Sequence, residues 1–335
     1  MVDYETYEKM HPKAHPFVLA GKDTTTFEFS TVPDDQFVLL LPPDIHGYNL
    51  HHKEWITLGV ENIEPIPWDK RAFERLVLEP STKGLIKALV SIHIETDKSA
   101  DIISGKGNGL IVLLHGGPGT GKTLTAESVA EFTERPLYRI TCGDIGTDSE
   151  AVEKYLETIL YIGKMWNCVI LLDEADVFLE ERGLADLERN ALVSIFLRVL
   201  EYYEGILILT SNRVGSFDEA FKSRIQLAIH YPDLQQAERM AIWRMVFTLL
   251  QENKVLIDID DLEDNVTDLS SNVMNGRQIR NAVTTGSMLA RYKKELFAYK
   301  HLQRVMKTAD AFEKYIEQTR GHTDVQYAKA EGLRG

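Results

Sequence analysis

Gly109-Leu-Ile-Val-Leu-Leu-His-Gly-Gly-Pro-Gly-Thr-Gly-Lys-Thr123 is the stretch of sequence that decides the fold. Its residues 110–114 form an unbroken apolar run, which is typical of a parallel strand with both faces buried. Residues 116–123 then fit the pattern Gly-x-x-x-x-Gly-Lys-Ser/Thr, in which glycines let backbone amides converge on an anion. Apolar residues at helical spacing follow from Leu124, and the start of that helix adds its positive end to the same place. The stretch therefore predicts a strand, a phosphate-binding loop and a helix.

The loop also carries the side chains that a nucleotide site needs. Lys122 can reach the β- and γ-phosphates, and Thr123 can place its hydroxyl on Mg²⁺. A glycine-rich turn that fits the pattern by chance is the alternative, but the strand before the loop and the helix after it argue against chance. The residues predicted to bind nucleotide here are Gly117, Pro118, Gly119, Thr120, Gly121, Lys122, Thr123 and Leu124.

The composition is that of a globular protein with an acidic surface. The chain has 335 residues, of which 44% are hydrophobic and 26% charged, and a net charge of −14. A negative field weakens the case for broad binding to nucleic acids or acidic membranes, which favour positive partners. We therefore expect no nucleic-acid partner. No run of residues approaches the length of apolar sequence that spans a bilayer, so we also expect no membrane segment.

Cysteine usage and the N-terminal sequence bear on the compartment. Cys142 and Cys168 lie in or near predicted sheet elements, and we expect buried, reduced thiols, as in a reducing compartment. The N-terminal residues lack an apolar core of signal-peptide length. We therefore expect an intracellular location, in the cytoplasm or the nucleus. The chain starts abruptly, so a further hypothesis is that it is a piece of a longer protein.

Residues 1–68 differ in pattern from the remainder. Short β-like runs alternate there with Pro, Gly, Asp and Asn, which predicts a small β-rich N-terminal domain, either complete or incomplete. Three of the five histidines in this region lack an orderly ligand spacing, so solvated loop histidines are preferred over a metal site. The runs are Phe17–Ala20, Thr25–Phe29, Gln36–Leu41 and Trp55–Val60, and the histidines are His46, His51 and His52.

Strands and helices alternate in residues 69–231, which predicts an α/β domain with a parallel sheet and helices on both faces. Within this range, apolar groups at 72–77 and 85–90 predict a linker and a helix before the first strand. After Pro232 the spacing is helical, which predicts a helical subdomain over 232–320, and the tail 321–335 is expected to be disordered. The predicted strands are Leu110–His115, Leu137–Thr141, Val169–Leu172, Ile206–Thr210 and Ile225–His230. The predicted C-terminal helices are Leu234–Glu252, Gly276–Glu295 and Tyr299–Glu317, with an acidic, less regular segment at 258–275.

Two further strands end in polar side chains. Asp173 and Glu174 follow an apolar strand, and such strand ends face the crevice where α/β sheets bind ligands. Asp173 would hold Mg²⁺ through water, and Glu174 would polarise the water that attacks the γ-phosphate. Asn212 ends the next apolar strand and could orient that water. A solvated turn for the acid pair, and a routine turn-forming role for Asn212, are the alternatives.

The order of these motifs resembles the AAA family within the AAA+ ATPases. Residues 116–123 match its Walker A motif, 169–174 its Walker B motif, Asn212 its sensor 1 and 212–225 its second region of homology, and the likeness covers about residues 70–320. Three further segments look like a fungal AAA group with an uncharacterised β-rich N-terminal domain. They are Arg189-Asn-Ala-Leu, Leu200-Glu-Tyr-Tyr-Glu-Gly and Asn275-Gly-Arg-Gln-Ile-Arg-Asn281.

This resemblance implies a five-stranded sheet in the order 5-1-4-3-2, a helical lid and a ring, usually of six subunits, with ATP at each subunit boundary. Arg224 then matches the arginine finger that reaches the neighbour's site, and a surface arginine in a salt bridge is the alternative. Arg277 resembles a sensor 2 arginine that contacts the γ-phosphate, against the alternative of an exposed arginine at a helix start.

One departure from the family concerns the pore loop. Threading AAA motors carry an aromatic residue between the second strand and the next helix, whereas residues 141–149 contain none. We therefore do not expect threading of polypeptide by the usual grip. Phe178 and Leu179, which follow the second motif, are expected to pack a helix.

The sequence therefore predicts Mg²⁺-dependent ATP hydrolysis that remodels an unidentified protein partner. Its site would consist of Lys122, Glu174, Asn212 and a neighbour's Arg224, with Thr123 and Asp173 for the metal. An ATP-binding switch or scaffold with little turnover is the first alternative, although the intact set of site residues argues against it. A nucleic-acid helicase is the second, prompted by Asp173-Glu-Ala-Asp176, but only one sheet domain fits the sequence.

Overall fold

The computed structural model describes residues 1–11, 42–95, 109–145, 148–179, 187–213, 217 and 219–320. The chain divides into two compact units, Met1–Trp68 and Asp69–Gly335. The predicted strands at 17–20, 25–29 and 36–41 and the tail at 321–335 lie outside the described residues.

The described part of the first unit is a helix on a two-stranded hairpin. The helix Tyr4–Met10 begins at Asp3, whose carboxylate accepts a hydrogen bond from the Thr6 amide at 3.1 Å. Strands β1 (Asp44–Asn49) and β2 (Glu54–Gly59) pair antiparallel, and a 3₁₀ turn, Val60–Asn62, follows. Strand β2 corresponds to the predicted strand at Trp55–Val60, whereas strand β1 and the helix are absent from the sequence-based prediction.

Aromatic rings join the helix to the hairpin in this unit. The Tyr7 ring stacks on His46, with centroids 4.4 Å apart, and meets Trp55 edge-on. His51 and His52 are exposed at the hairpin turn. The three histidines therefore occupy a ring stack and a solvated turn.

The second unit is built on a five-stranded parallel sheet. Its strands are β3 (Leu110–Gly116), β4 (Leu137–Thr141), β5 (Val169–Asp173), β6 (Ile206–Ser211) and β7 (Leu227–Tyr231). Their order is β4-β5-β6-β3-β7, and every neighbouring pair is parallel. This arrangement confirms the predicted P-loop fold and the strand order 5-1-4-3-2.

Helices flank the sheet. One helix and one strand of this unit begin later than predicted. The first apolar group, at 72–77, lies in turns and irregular structure, and the helix begins only at Pro80, because proline suits the first helical turn. Strand β7 begins two residues later than predicted, because the Ile225 amide still donates to the Phe221 carbonyl of the preceding helical turn. The helices are Pro80–Glu95, Lys122–Thr133, Cys142–Ile145, Ser149–Met165, Asp176–Leu179, Leu187–Leu200 and Glu219–Lys222.

The core of this unit explains the apolar strands. Strands β5 and β6 are buried at every position, as expected for central strands covered on both faces. Phe178 is buried and packs on Phe196, which supports the expected packing role. Cys168 is buried too, and burial raises the pKa of its thiol to about 12. The side chains of Cys142 and Leu179 lie outside the described residues.

The C-terminal lid is a separate helical cluster with its own core. Its helices are Gln236–Glu252, Ile259–Asp264, Val266–Ser271, Gly276–Lys293 and Tyr299–Arg320. The acidic segment at 258–275 thus contains two short helices, the first capped by Asp258. Trp243, Phe247 and Phe297 lie at the centre of the lid.

The segment 69–75, before the helix Pro80–Glu95, contacts two other parts of this unit. One is the lid, and the other is the helix Lys122–Thr133, here called the phosphate-loop helix. Arg75 donates hydrogen bonds to Asp69 at 2.7 Å and to Glu252, at the end of the first lid helix, at 2.8 Å. The Asp69 amide donates to Glu131 of the phosphate-loop helix at 2.8 Å. The first lid helix and the phosphate-loop helix therefore both contact the segment 69–75.

Within the described part of the chain, no helix combines the length and the apolar character that crossing a bilayer requires.

The lid core generates the first prediction. Replacing the fully buried Trp243 by Ala should lower the free energy of unfolding by about 3–5 kcal/mol, because it leaves a cavity. Tyr292→Ala, on the neighbouring lid helix but 87% exposed, should change it by less than about 0.5 kcal/mol. Urea unfolding followed by circular dichroism measures both. Equal losses in the two variants would contradict the packing described here.

Candidate active site

The loop after β3 has the backbone of an anion-binding concavity. Gly116, Gly119 and Gly121 have φ angles of 144°, 74° and 109°, which side-chain-bearing residues rarely adopt. Gly116 also permits a close approach of β7, since a Cβ there would lie 2.1 Å from the Tyr231 carbonyl oxygen. The helix Lys122–Thr133 begins directly after Gly121, so its unpaired amides face the loop.

The lysine of this loop is buried against it. Lys122 is 6% exposed, and its ammonium donates hydrogen bonds to the carbonyl oxygens of Gly116 at 2.9 Å and of Gly117 at 2.7 Å. The Thr120 hydroxyl donates to the Gly117 oxygen at 2.8 Å. A fixed positive charge thus lies within the concavity where phosphates are predicted to bind.

Asp173, at the end of β5, is a buried carboxylate that accepts hydrogen bonds from three segments. It is 6% exposed. Its Oδ1 accepts from the Thr210 hydroxyl of β6 at 2.5 Å and from the Thr123 hydroxyl of the phosphate-loop helix at 3.2 Å. Its Oδ2 accepts from the Arg139 guanidinium of β4 at 2.6 Å. The carboxylate is therefore fixed in position by groups that meet only in the folded sheet.

Thr210 connects the two acidic residues. Besides donating to Asp173, its hydroxyl accepts a hydrogen bond from the Glu174 amide at 2.9 Å, and its carbonyl accepts from the Ala175 amide at 2.8 Å. Glu174 has a φ of 57°, so its backbone turns at this point, and its side chain is exposed. The contacts of Thr210 thus hold the turn that directs Glu174 away from the buried strand.

Asp176 holds the segment that contains Asn212. Its carboxylate accepts hydrogen bonds from the Ser211 hydroxyl and from the Asn212 amide, the latter at 3.2 Å. The last residue of Asp173-Glu-Ala-Asp176 therefore positions the end of β6. Asn212 itself is half-buried.

The lid contacts the phosphate loop directly. The Gly276 amide, at the start of the lid helix Gly276–Lys293, donates to the Gly119 carbonyl at 2.8 Å. Asn275 caps that helix, accepting from the Gln278 amide at 2.9 Å. A Cβ on Gly119 would lie 2.6 Å from the Asn275 side chain. The position of the lid is thus linked to the conformation of the loop.

Two lid arginines lie near this contact. Arg277, the predicted sensor 2, is exposed in the first turn of the lid helix. Arg280 lies one turn further along, and its charge acts on Glu127 of the phosphate-loop helix. Partial burial raises the pKa of Glu127, and the charges of Arg139 and Arg280 oppose that rise.

Arg224 lies away from the other predicted site residues. It lines a cavity of about 360 Å³ together with Gly109 and Ile111, at the start of β3. Gly116 lies at the other end of that strand, about 16 Å further at the usual rise per residue. Arg224 donates to the Ala220 carbonyl at 2.9 Å and pairs with Glu201 at 3.5 Å, which is the salt bridge considered as its alternative.

The structure thus brings together most of the predicted site residues at the carboxyl edge of the sheet, and Arg224 is the exception. Four residues that contribute to the site are missing from the sequence-based prediction: Arg139, Thr210, Asp176 and Asn275. A charged residue in the middle of a short apolar strand, as Arg139 is, was the available signal. The other three occur in ordinary turn or strand sequences.

His115 and His230 form a further pair beside the loop. Their rings lie 5.1 Å apart on the paired strands β3 and β7. Burial, then the charges of His230 and Lys122, lower the pKa of His115. Lys122 supplies the positive charge within the loop itself.

The donor set fits a magnesium nucleotide. Mg²⁺ prefers hard oxygen ligands, and here the hydroxyl of Thr123 and the carboxylate of Asp173 lie side by side at the mouth of the loop. The glycine backbone, Lys122 and the helix start supply amides and positive charge for phosphates. These residues could therefore hold both groups.

The comparisons with known proteins agree with this geometry. Residues 112–233 match the family model of the ATPase family associated with various cellular activities (AAA). Residues 234–323 match the model of the fungal AAA+ ATPase lid domain.

Similar curated proteins include ATPase family AAA domain-containing protein 3B from Homo sapiens, 28% identical over 52% of this chain and 27% of the relative. ATPase family AAA domain-containing protein 3A from Homo sapiens is 27% identical over 52% of this chain and 30% of the relative. ATPase family AAA domain-containing protein 3 from Caenorhabditis elegans is 32% identical over 41% of this chain and 25% of the relative. The matched region thus spans roughly a quarter to a third of these relatives.

The contacts of Thr210 generate the second prediction. Thr210→Val keeps the shape of the side chain but leaves Asp173 and the Glu174 amide without this partner. The free energy of unfolding should fall by about 2 kcal/mol, and Thr210→Ser should restore most of the loss. Thr284→Val, at an exposed lid position, is the matched control and should be nearly neutral. Denaturant titration measures all three, and a neutral Thr210→Val would contradict the bridging role.

Proposed function

This chain belongs to the AAA family of ATPases, and we propose that it binds Mg²⁺·ATP and hydrolyses the γ-phosphate. One observation carries the proposal. The phosphate loop, the hydroxyl of Thr123 and the acids Asp173 and Glu174 meet at one edge of one parallel sheet, with their backbones fixed by hydrogen bonds. Binding nucleotide at such an edge is what the geometry of open α/β sheets favours.

Each residue has a part in the proposed reaction. The amides of the loop and Lys122 would hold the β- and γ-phosphates, and Thr123 and Asp173 would hold the metal. When bound, Mg²⁺ neutralises part of the phosphate charge. Glu174, directed outward by its backbone turn, would accept the proton of the attacking water, and Asn212 would orient that water.

A second subunit completes the proposed site. Arg224 lies near the start of β3 and therefore cannot reach the nucleotide of its own chain. Its place at the opposite end of the sheet supports a role in a neighbour's site, where a guanidinium would stabilise the charge of the transition state. We propose a homo-oligomeric ring, with six subunits as in most of the family.

Movement of the lid would transmit hydrolysis to a protein partner. The lid helix starts on the Gly119 carbonyl, so a change in the loop alters the support of the lid. We propose that this motion remodels a protein client or complex. Because residues 141–149 contain no aromatic residue, the proposal does not include threading by an aromatic pore loop.

The role of Glu174 gives the third prediction. Glu174→Gln should lower the rate of phosphate release by at least about 100-fold, because an amide cannot accept the proton. ATP affinity, measured by calorimetry with Mg²⁺, should change by less than about threefold, because Glu174 is not a proposed ligand of the nucleotide. Lys122→Ala should lose both binding and turnover.

Equal phosphate release by Glu174→Gln and the wild type would refute this role. Slow release by the wild type, with tight ATP binding, would favour the ATP-binding switch instead. Stimulation of turnover by single-stranded nucleic acid would favour the helicase.

The role of Arg224 gives the fourth prediction. Arg224→Ala should lower the turnover rate about 1,000-fold. When variant and wild-type subunits are mixed, activity should fall by more than the fraction of variant subunits. The exposed Lys222, which ends the short helix just before Arg224, supplies the control, and Lys222→Ala should retain most activity. Full activity of Arg224→Ala at all protein concentrations would exclude a shared site.

A further inference from the structure

Arg139 is the charged residue of the short strand β4. Its neighbours Tyr138 and Ile140 point to the opposite face of β4 and are buried. Arg139 pairs in register with Leu171 of β5, and Asp173 lies two residues further on the same face. The long side chain of Arg139 therefore extends along the sheet to the Oδ2 atom of Asp173, at 2.6 Å.

The three donors to Asp173 differ in how readily they can leave. Thr210 is 1% exposed and also holds the Glu174 amide, so its hydroxyl is fixed. Thr123 is half-buried, and its backbone belongs to the first turn of its helix. The Arg139 side chain is 52% exposed and has space to move toward solvent. The donor with a full positive charge is therefore the most exposed of these three.

A divalent cation and Arg139 would compete for the same carboxylate. Two positive charges a few ångströms apart repel strongly at the effective dielectric constant of a partly buried site. A guanidinium that stays on Oδ2 therefore weakens the binding of a cation to Asp173. Neither Thr123 nor Thr210 imposes this penalty, because hydroxyls are neutral.

We propose that Arg139 is a resident counter-ion of Asp173, which a divalent cation displaces when it binds. The inference rests on the proposed function of the site. Its consequence is that the site holds divalent cations weakly by themselves and well only with a nucleotide, whose phosphates compensate the added charge.

Glu127 offers Arg139 an alternative partner after displacement. This carboxyl lies on the phosphate-loop helix, and the charges of Arg139, Arg280 and Asp173 all act on it. A guanidinium that leaves Asp173 can therefore remain near a negative charge. Because Arg280 belongs to the lid, binding of the cation would also alter the charge that the lid faces.

The first test measures a divalent cation without nucleotide. Mn²⁺ serves as a paramagnetic probe, and the fraction that stays in solution is read from its electron paramagnetic resonance signal with the full chain. Arg139→Met keeps the length of the stem and removes the charge, so Mn²⁺ should bind about three- to tenfold more tightly than to the wild type. Arg139→Lys keeps the charge and should stay within about twofold.

Thr210→Val is the matched control. It also removes one donor from Asp173, but an uncharged one that positions the carboxylate, so Mn²⁺ affinity should fall rather than rise. Equal or weaker Mn²⁺ binding by Arg139→Met, compared with the wild type, would overturn the proposal.

The second test decides the case in which Mn²⁺ alone binds too weakly to detect. ADP affinity is measured by calorimetry with and without Mg²⁺, and the ratio of the two affinities should be about three- to tenfold larger in Arg139→Met than in the wild type. An unchanged ratio would overturn the proposal. An equal loss of ADP affinity with and without Mg²⁺ would assign Arg139 to the nucleotide and overturn it as well.

Failure of this inference and failure of the proposed function give different results. Normal ADP binding by the wild type, with an unchanged magnesium ratio in Arg139→Met, overturns only the counter-ion role. No binding of ADP or ATP by the folded wild type overturns the proposed function, and the counter-ion role with it.

Discussion

The buried carboxylate of Asp173 is the constraint on which the arrangement of the site depends. A charge with so little exposure to water is costly unless hydrogen bonds and opposite charge compensate it. Its donors come from β4, β6 and the phosphate-loop helix. They converge only when three strands are in register and the helix is seated on the sheet, so the chemistry of the site and the correct pairing of the sheet are one requirement.

The sheet was largely accessible from the sequence, because burial on both faces leaves a plain signal. Strands β3, β5 and β6 are central, and each appears as a continuous apolar run. The errors lie where local and tertiary signals disagree. Phe73 and Leu76 are buried in the core without being helical, because their spacing reflects packing of a turn rather than a helix period. The helix Tyr4–Met10 is one short amphipathic segment that its capping Asp3 and the ring of Tyr7 stabilise.

The site was predictable to the extent that motifs place its residues on strand ends. Asp173, Glu174 and Asn212 follow buried strands, and parallel pairing brings such ends to one edge. Contacts between strands depend on register, which a single strand does not encode. The hydrogen bond from Arg139 to Asp173 and the two hydrogen bonds of the Thr210 hydroxyl therefore follow from the three-dimensional fold and not from any one segment. The sequence could not assign Asn275 to the site for a different reason. Its contact with Gly119 depends on how the lid packs against the phosphate loop.

The contact between Gly119 and Asn275 has a consequence for how this protein can evolve. The left-handed backbone of the loop and the amide of the lid cap leave no volume for a methyl group between them. A change at either position alters the steric limits on the other, although the two lie far apart in the chain. We therefore expect strong epistasis between the two positions. The phosphate loop limits which substitutions the start of the lid helix tolerates, so the two segments should change together in evolution.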